Sequence, residues 1–93
     1  MTLNVYQLQE RRRVLCERIA AHLDILIGSV TTKGPKRPGY NLTFGLDGVT
    51  HSRHIRKKDL EKVRLMTARH KKLKQLIHKL SDLNWLILTC QTE

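Results

Sequence analysis

The stretch that decides the fold is YNLTFGLDGVTHSRHI, residues 40–55. At its centre, Asp47-Gly48 is a two-residue turn signature, because both central positions of a type I′ turn require φ > 0. Folding the chain about this turn predicts an antiparallel hairpin with a defined register. The predicted pairs are Leu46 with Val49, Phe44 with His51, Leu42 with Arg53, and Tyr40 with Ile55.

The two faces of this hairpin differ in polarity, since successive side chains of a strand point to opposite faces. The apolar face carries Tyr40, Leu42, Phe44, Leu46, Val49 and Ile55. The opposite face carries Asn41, Thr43, Thr50, Ser52 and His54. A lone hairpin is only marginally stable in water. We therefore expect the apolar face to lie on a helix or on another chain.

Helical patterns flank the hairpin. Residues 3–27 and 58–90 both carry apolar side chains at helical spacing. The first stripe is Val5, Leu8, Leu15, Ile19, Leu23 and Leu26, and the second is Leu73, Leu76, Leu80, Leu83, Ile87 and Cys90. The predicted fold class is α+β and mostly α: an N-terminal helix, a two-stranded antiparallel hairpin and a long C-terminal amphipathic helix. Residues 1–93 are expected to form one small domain.

Residues 28–39 are predicted to be a basic linker. Glycine and proline punctuate this segment, which is typical of a turn-rich connection. They are Gly28, Gly34, Pro35, Pro38 and Gly39. Lys33, Lys36 and Arg37 make the linker basic. It could be an arm that contacts phosphates, or a plain connection that is basic because the whole chain is.

The charge of the chain indicates an anionic partner. Eighteen Lys and Arg residues against eight Asp and Glu residues give a net charge of +10 and a pI near 10.2. Nucleic acid is the first partner to consider for so basic a chain. No acid lies between Glu61 and Asp82, so the basic residues of this stretch repel one another unless an anion lies beside them. The alternative is an ordinary solvated helix face.

The candidate nucleic-acid-binding residues fall in three groups. The linker supplies Lys33, Lys36 and Arg37, and the hairpin supplies Asn41, Thr43, Thr50, Ser52, Arg53 and His54. The last group is Arg56, Lys57, Lys58, Arg64, Lys71, Lys72, Lys74 and Lys79. A two-stranded ribbon can enter the major groove and present polar side chains to base edges. The same side chains are also common on a solvated strand, so both interpretations stay open.

The C-terminal part of the long helix is apolar and nearly uncharged. A candidate partner interface there consists of Leu76, Leu80, Leu83, Trp85, Ile87 and Leu88. The first helix is too short to cover this whole stripe, and exposed apolar patches usually meet a partner. We expect a homodimer or docking on a larger protein.

Other functional classes are not expected. The acidic residues are scattered along the sequence. Cys16 and Cys90 have no general base at a spacing typical of a cysteine nucleophile, and the histidines do not have the spacing of metal ligands. We therefore predict no catalytic residue, no metal, no cofactor and no small-molecule substrate. The chain also lacks an 18-residue apolar run and a signal peptide, which favours a cytoplasmic protein with reduced thiols that does not enter a membrane.

Three motifs carry a resemblance: Gly28-Ser29-Val30, Pro38-Gly39-Tyr40-Asn41-Leu42 and residues 48–55. With them, the chain resembles a family of short prokaryotic proteins of unknown function found near transposons and other mobile elements. The likeness covers roughly residues 8–88, with Lys58-Asp59-Leu60 opening the last helix. It implies a nucleic-acid transaction in a mobile element. Relatives with Cys and His in the linker suggest metal, but residues 31–37 have neither here, so no metal role is carried over.

A looser similarity is to the arm-type DNA-binding domains of integrases, which place a basic three-stranded sheet before a helix. The present sequence predicts two clear strands. The leading hypothesis is a non-enzymatic DNA-binding accessory protein, in transposition or recombination. Neutralising about six phosphates would give a salt slope near −5. The alternatives are an RNA-binding module of a ribonucleoprotein and a protein–protein adaptor or inhibitor that uses its basic face on an acidic partner. The scarcity of aromatics argues against single-strand stacking.

Overall fold

A computed structural model describes residues 4–91 and shows an α+β fold that is mostly helical. The elements in chain order are α1 (Val5–Ala20), β1 (Ser29–Thr32), β2 (Tyr40–Leu46), β3 (Val49–Ile55), a 3₁₀ turn (Lys57–Asp59) and α2 (Leu60–Gln91). Two compact units are formed. One combines the described parts of residues 1–23 and 71–93, and the other is residues 24–70. We call the second the sheet unit and the first the helical unit.

The sheet has three antiparallel strands in the order β1-β2-β3, so the prediction of a two-stranded hairpin is wrong. The extra strand, β1, lies inside the segment predicted to be a linker. It pairs Val30 with Leu42 and Thr32 with Tyr40. Three successive β-branched residues, 30–32, favour a strand, but the glycines and prolines around them indicate turns. Pairing with β2 decides between these tendencies.

The hairpin register is confirmed at every predicted pair, from Leu46 with Val49 to Tyr40 with Ile55. Asp47 has φ 53° and Gly48 has φ 75°, as the turn signature requires. The apolar face is buried at Leu42 and Ile55, which are 5% and 6% exposed. Near the turn, it stays open to solvent.

The predicted first helix, residues 3–27, is too long at its C-terminal end, while Leu3 lies outside the described residues. α1 ends at Ala20, where the His22 ring bonds the Arg18 carbonyl oxygen at 2.7 Å. The next residues are held in the sheet unit instead. Asp24 accepts from Arg69 at 2.8 Å and from Lys62 at 3.3 Å, and the Leu26 N–H donates to the Met66 carbonyl at 3.2 Å. These contacts replace further helical turns.

The close approach of the chain entering β1 to β2 requires a glycine at position 28. Gly28 has φ +141°, and a Cβ atom added there would lie 2.7 Å from the Thr43 carbonyl oxygen. A side chain would therefore force the two segments apart. After β1, a turn joins the Arg37 N–H to the Gly34 carbonyl at 3.3 Å and returns the chain to β2.

The helical unit contains α1 and the distal part of α2, and both predicted stripes supply its core. Leu8 and Leu15 are buried on α1, and Leu73, Leu76 and Ile87 are buried on α2. Leu76 is 0% exposed. The two helices are also joined by a hydrogen bond of 3.2 Å from Arg12 Nη1 to Asn84 Oδ1.

Candidate nucleic-acid interface

One face of the sheet is polar across all three strands, and we call it the polar sheet face. Residues directly paired in an antiparallel ladder share a face. The register pairs Ser29 with Thr43 and Thr31 with Asn41. The face therefore consists of Ser29, Thr31, Asn41, Thr43, Gly45, Thr50, Ser52 and His54. None of these eight residues has an apolar side chain, so this face does not contribute to the core.

Ser29 and Thr31 belong to the polar sheet face, although neither is among the predicted binding residues. The alternation of polar Ser29 and Thr31 with Val30 was the available signal. It covers only four residues, which is too short to indicate a strand without its neighbour. The five predicted polar hairpin residues, Asn41, Thr43, Thr50, Ser52 and His54, are all brought together on this face.

A row of hydroxyl groups crosses the three strands. Thr31 Oγ1 and Thr43 Oγ1 share a hydrogen bond of 2.9 Å, and Thr43 Oγ1 lies 3.5 Å from Ser52 Oγ. Thr31 Oγ1 also donates to the Asn41 carbonyl oxygen at 3.4 Å. The row fixes side-chain positions on the central part of the face. Thr50, Ser52 and His54 are exposed on the third strand.

Six cationic residues lie in the two segments that follow β1 and β3 at one end of the sheet. Thr32 pairs with Tyr40, and Tyr40 pairs with Ile55. The segment that follows β1 and the segment that follows β3 therefore begin at the same end of the sheet. We call residues 33–39 and 56–58 the cationic end, which contains Lys33, Lys36, Arg37, Arg56, Lys57 and Lys58. The opposite end carries Asp47-Gly48. Positive charge is therefore concentrated at one end of the strands.

The cations of this end differ in how freely they can meet a ligand. Arg56 Nε donates to Asp59 Oδ2 at 2.7 Å, so its guanidinium already has a carboxylate partner. Lys33 is half-buried beside Gly39. The remaining four, Lys36, Arg37, Lys57 and Lys58, are exposed and form no ion pair with any described residue.

A concave surface of about 460 Å³ opens at the cationic end. Two of its lining residues, His54 and Lys57, carry ionisable side chains, and a third, Ile55, is buried. The complete lining is Pro38, Gly39, Tyr40, His54, Ile55, Lys57 and Leu60. The polar sheet face thus continues through His54 into a recess that carries a positive charge.

Two predicted arginines lie elsewhere in the sheet unit. Arg53 pairs with Leu42 on the apolar face, and its guanidinium lies 5.1 Å from the centroid of the Phe44 ring. His51 stacks on the same ring at 5.3 Å. The Arg64 guanidinium lies 5.6 Å from the Tyr40 centroid. Strand alternation therefore places Arg53 on the face opposite the polar hairpin residues.

The other predicted lysines belong to the helical unit. Lys71, Lys72, Lys74 and Lys79 are all exposed on α2 and form no ion pair with a described residue. They constitute a separate basic row. Elsewhere on this unit, Arg13 hydrogen-bonds Glu10 at 2.6 Å, and this bond and the Arg13 charge lower the pKa of the Glu10 carboxyl. The Arg13–Glu10 pair is exposed and lies on α1, whereas the lysine row lies on α2.

The predicted partner interface divides into buried and exposed residues. Leu76 and Ile87 are 0% and 5% exposed, and Leu80 and Leu83 are half-buried. Leu76 and Ile87 therefore belong to the core of the helical unit, whereas the partner interface stays a prediction. Trp85 and Leu88 are 64% and 55% exposed. These two stay available to a partner.

The described residues, 4–91, contain neither a candidate metal cluster nor a candidate membrane span. No three His, Cys, Asp or Glu residues gather there in a group that could hold a metal ion. No helix of that part of the chain combines the length and apolarity needed to cross a bilayer.

Comparisons with models of protein families, with curated proteins and with solved structures each return no match to this chain.

Proposed function

We propose that this chain is a non-enzymatic DNA-binding accessory protein whose polar sheet face enters the major groove. The observation that carries the proposal is a sheet face of eight residues without an apolar side chain, ending in a cluster of cations. Base edges are read by polar side chains, while cations near the groove bind phosphates and fix the register. The sheet unit contains both kinds of residue.

The dimensions of the sheet favour DNA. Three strands span two strand spacings, or about 9.6 Å between the outer strands. The major groove of B-form DNA is about 12 Å wide, whereas that of A-form RNA is too narrow for side chains to read its bases. Single-stranded RNA is usually held by aromatic stacking. The polar sheet face offers no Phe, Tyr or Trp for this purpose.

Charge supports the same assignment. Lys36, Arg37, Lys57 and Lys58 are exposed and unpaired within the described residues, so each can displace a counterion from a phosphate. The lysine row of α2 adds long-range attraction for a polyanion. The resemblance to mobile-element proteins makes transposition or recombination the proposed setting, and the integrase arm-type likeness stays a prediction.

The test compares one substitution at two serines. Ser52→Glu places a carboxylate on the polar sheet face, and Ser81→Glu places the same carboxylate on an exposed position of α2. Binding to a fluorescent 20-base-pair DNA duplex and to the matching RNA duplex is measured by anisotropy. We expect tighter binding to DNA, at least tenfold weakening by Ser52→Glu, and less than threefold weakening by Ser81→Glu. Equal effects of the two substitutions, or preference for RNA, would contradict the proposal.

A second candidate function, protein–protein contact through α2, is favoured by the exposure of Trp85 and Leu88. We propose that these residues contact a second copy of the chain or a larger protein. Light scattering should then give a dimeric mass that becomes monomeric with Trp85→Ser. A monomer at all concentrations excludes the homodimer. Tight binding to one acidic protein with only weak DNA binding would favour the adaptor function over the DNA-binding one.

A further inference from the structure

The polar sheet face lacks the side chains that most often recognise G·C base pairs. Arg and Lys pair with guanine O6 and N7, and Asp and Glu accept from cytosine N4. None of these four residue types occurs among the eight positions of the face. The one nearby strand arginine, Arg53, lies on the opposite face over Phe44. The base-reading chemistry of this face is therefore restricted to hydroxyl, amide and imidazole groups.

Asn41 supplies the amide of the face and is the second residue of β2, near the cationic end. It lies on the middle strand, where the register places Thr31 on one side and His54 on the other. Its side chain is half-buried and makes no hydrogen bond to a described residue. An unengaged amide of this kind can accept from adenine N6 and donate to adenine N7 at the same time.

The threonines beside Asn41 favour thymine. The hydroxyl groups of Thr31 and Thr43 bond to each other at 2.9 Å, so each is already engaged within the protein. The rest of each side chain is a methyl group, which cannot form a hydrogen bond of this kind. A threonine methyl group makes apolar contact with the C5-methyl group of thymine in the major groove.

We propose that the polar sheet face is selective for A·T base pairs, with Asn41 binding adenine and the methyl groups of Thr31 and Thr43 contacting thymine. This inference rests on the proposed DNA-binding function and names the ligand class of that same site. Cytosine and guanine offer these groups neither the paired acceptor and donor of adenine nor the thymine methyl group.

The experiment uses the full chain and two 20-base-pair duplexes that differ only in six central base pairs, all A·T or all G·C. Anisotropy is measured at 150 mM KCl. A bidentate amide–adenine pair favours its base by about 1–3 kcal/mol, which is about 5- to 150-fold. We expect the chain to bind the A·T duplex more tightly than the G·C duplex by a factor within that range. Replacing adenine by 7-deazaadenine, which removes N7, should abolish most of it, and replacing thymine by uracil should reduce it further.

The matched variants are Asn41→Ala and Asn84→Ala, since Asn84 is an asparagine of the helical unit. Asn41→Ala should equalise the affinities for the two duplexes, and circular dichroism checks that the variant still folds. Asn84→Ala should retain the preference. Equal affinity of the wild-type chain for both duplexes refutes A·T selectivity and leaves the DNA-binding function standing. Absence of binding to either duplex refutes both, and a preference that survives Asn41→Ala refutes the assignment to Asn41.

Discussion

Removing two lysines from the cationic end should change the salt dependence of DNA binding. The perturbation is the double substitution Lys57→Gln with Lys58→Gln, and the matched control is Lys71→Gln with Lys72→Gln. Both pairs are exposed, adjacent in sequence and unpaired within the described residues. Each variant loses two positive charges, so the two proteins have the same net charge and differ only in where the charge is lost.

The magnitude follows from the four free cations of the cationic end. Each phosphate contact contributes about −0.9 to the slope of log K against log salt, so four contacts give about −3.6. This slope is less steep than the value near −5 predicted from sequence, because Arg56 is paired with Asp59 and Lys33 is half-buried. Removing Lys57 and Lys58 should make the slope less steep, at about −1.8. At 0.1 M salt the affinity should fall about 60-fold, and the difference should vanish on extrapolation to 1 M.

The assay is fluorescence anisotropy of a labelled 20-base-pair duplex between 50 and 300 mM KCl, with circular dichroism to confirm the fold of each variant. The control pair, Lys71 and Lys72, should change the slope by less than about 0.5, because only long-range attraction is lost. A larger slope change in the control than in the Lys57 and Lys58 variant would place the interface on the lysine row and refute the reasoning. A flat salt response of the wild-type chain would refute phosphate binding altogether.

Three further predictions concern stability. Leu76→Ala should destabilise the chain by about 3 kcal/mol in urea unfolding, because the side chain is 0% exposed, whereas Leu88→Ala, at a 55% exposed position, should cost less than about 0.5 kcal/mol. Gly28→Ala should lose at least about 1 kcal/mol through its φ of +141°, while Gly45→Ala, with open space around it, should be nearly neutral; equal losses would contradict the strained approach of β1. Asn4→Ala should remove the α1 capping box and cost about 1 kcal/mol, seen as reduced ellipticity during thermal unfolding.

The hairpin was predictable because its determinants are local. Asp47-Gly48 forms the turn, and a two-residue turn fixes the register of the two strands that it joins. The leucine stripe of α2 was predictable for a similar reason, since its helical spacing places Leu73, Leu76 and Ile87 on one side. Polarity alternation within β2 and β3 also predicts five residues of the polar sheet face.

The limits of α1 and β1 were not predictable from periodicity. The stripe of α1 continues to Leu23 and Leu26, yet the helix stops at Ala20, because Asp24 and Leu26 bond to residues of α2 that lie about forty positions away. β1 is four residues long, and so short a segment becomes a strand only when β2 satisfies its backbone groups. Both outcomes depend on contacts that no local pattern contains.

The sequence by itself determined the chemistry of this protein: a net charge of +10, a polar hairpin face, and an apolar stripe along the last helix. Tertiary structure decided which of those groups act together. Pairing of β1 added Ser29 and Thr31 to the polar sheet face and brought the two basic segments to one end, while the Arg56–Asp59 pair reduced the free charge there. The physical reason is that side-chain alternation is set within a strand, whereas neighbouring strands and ion pairs are set by register between distant segments.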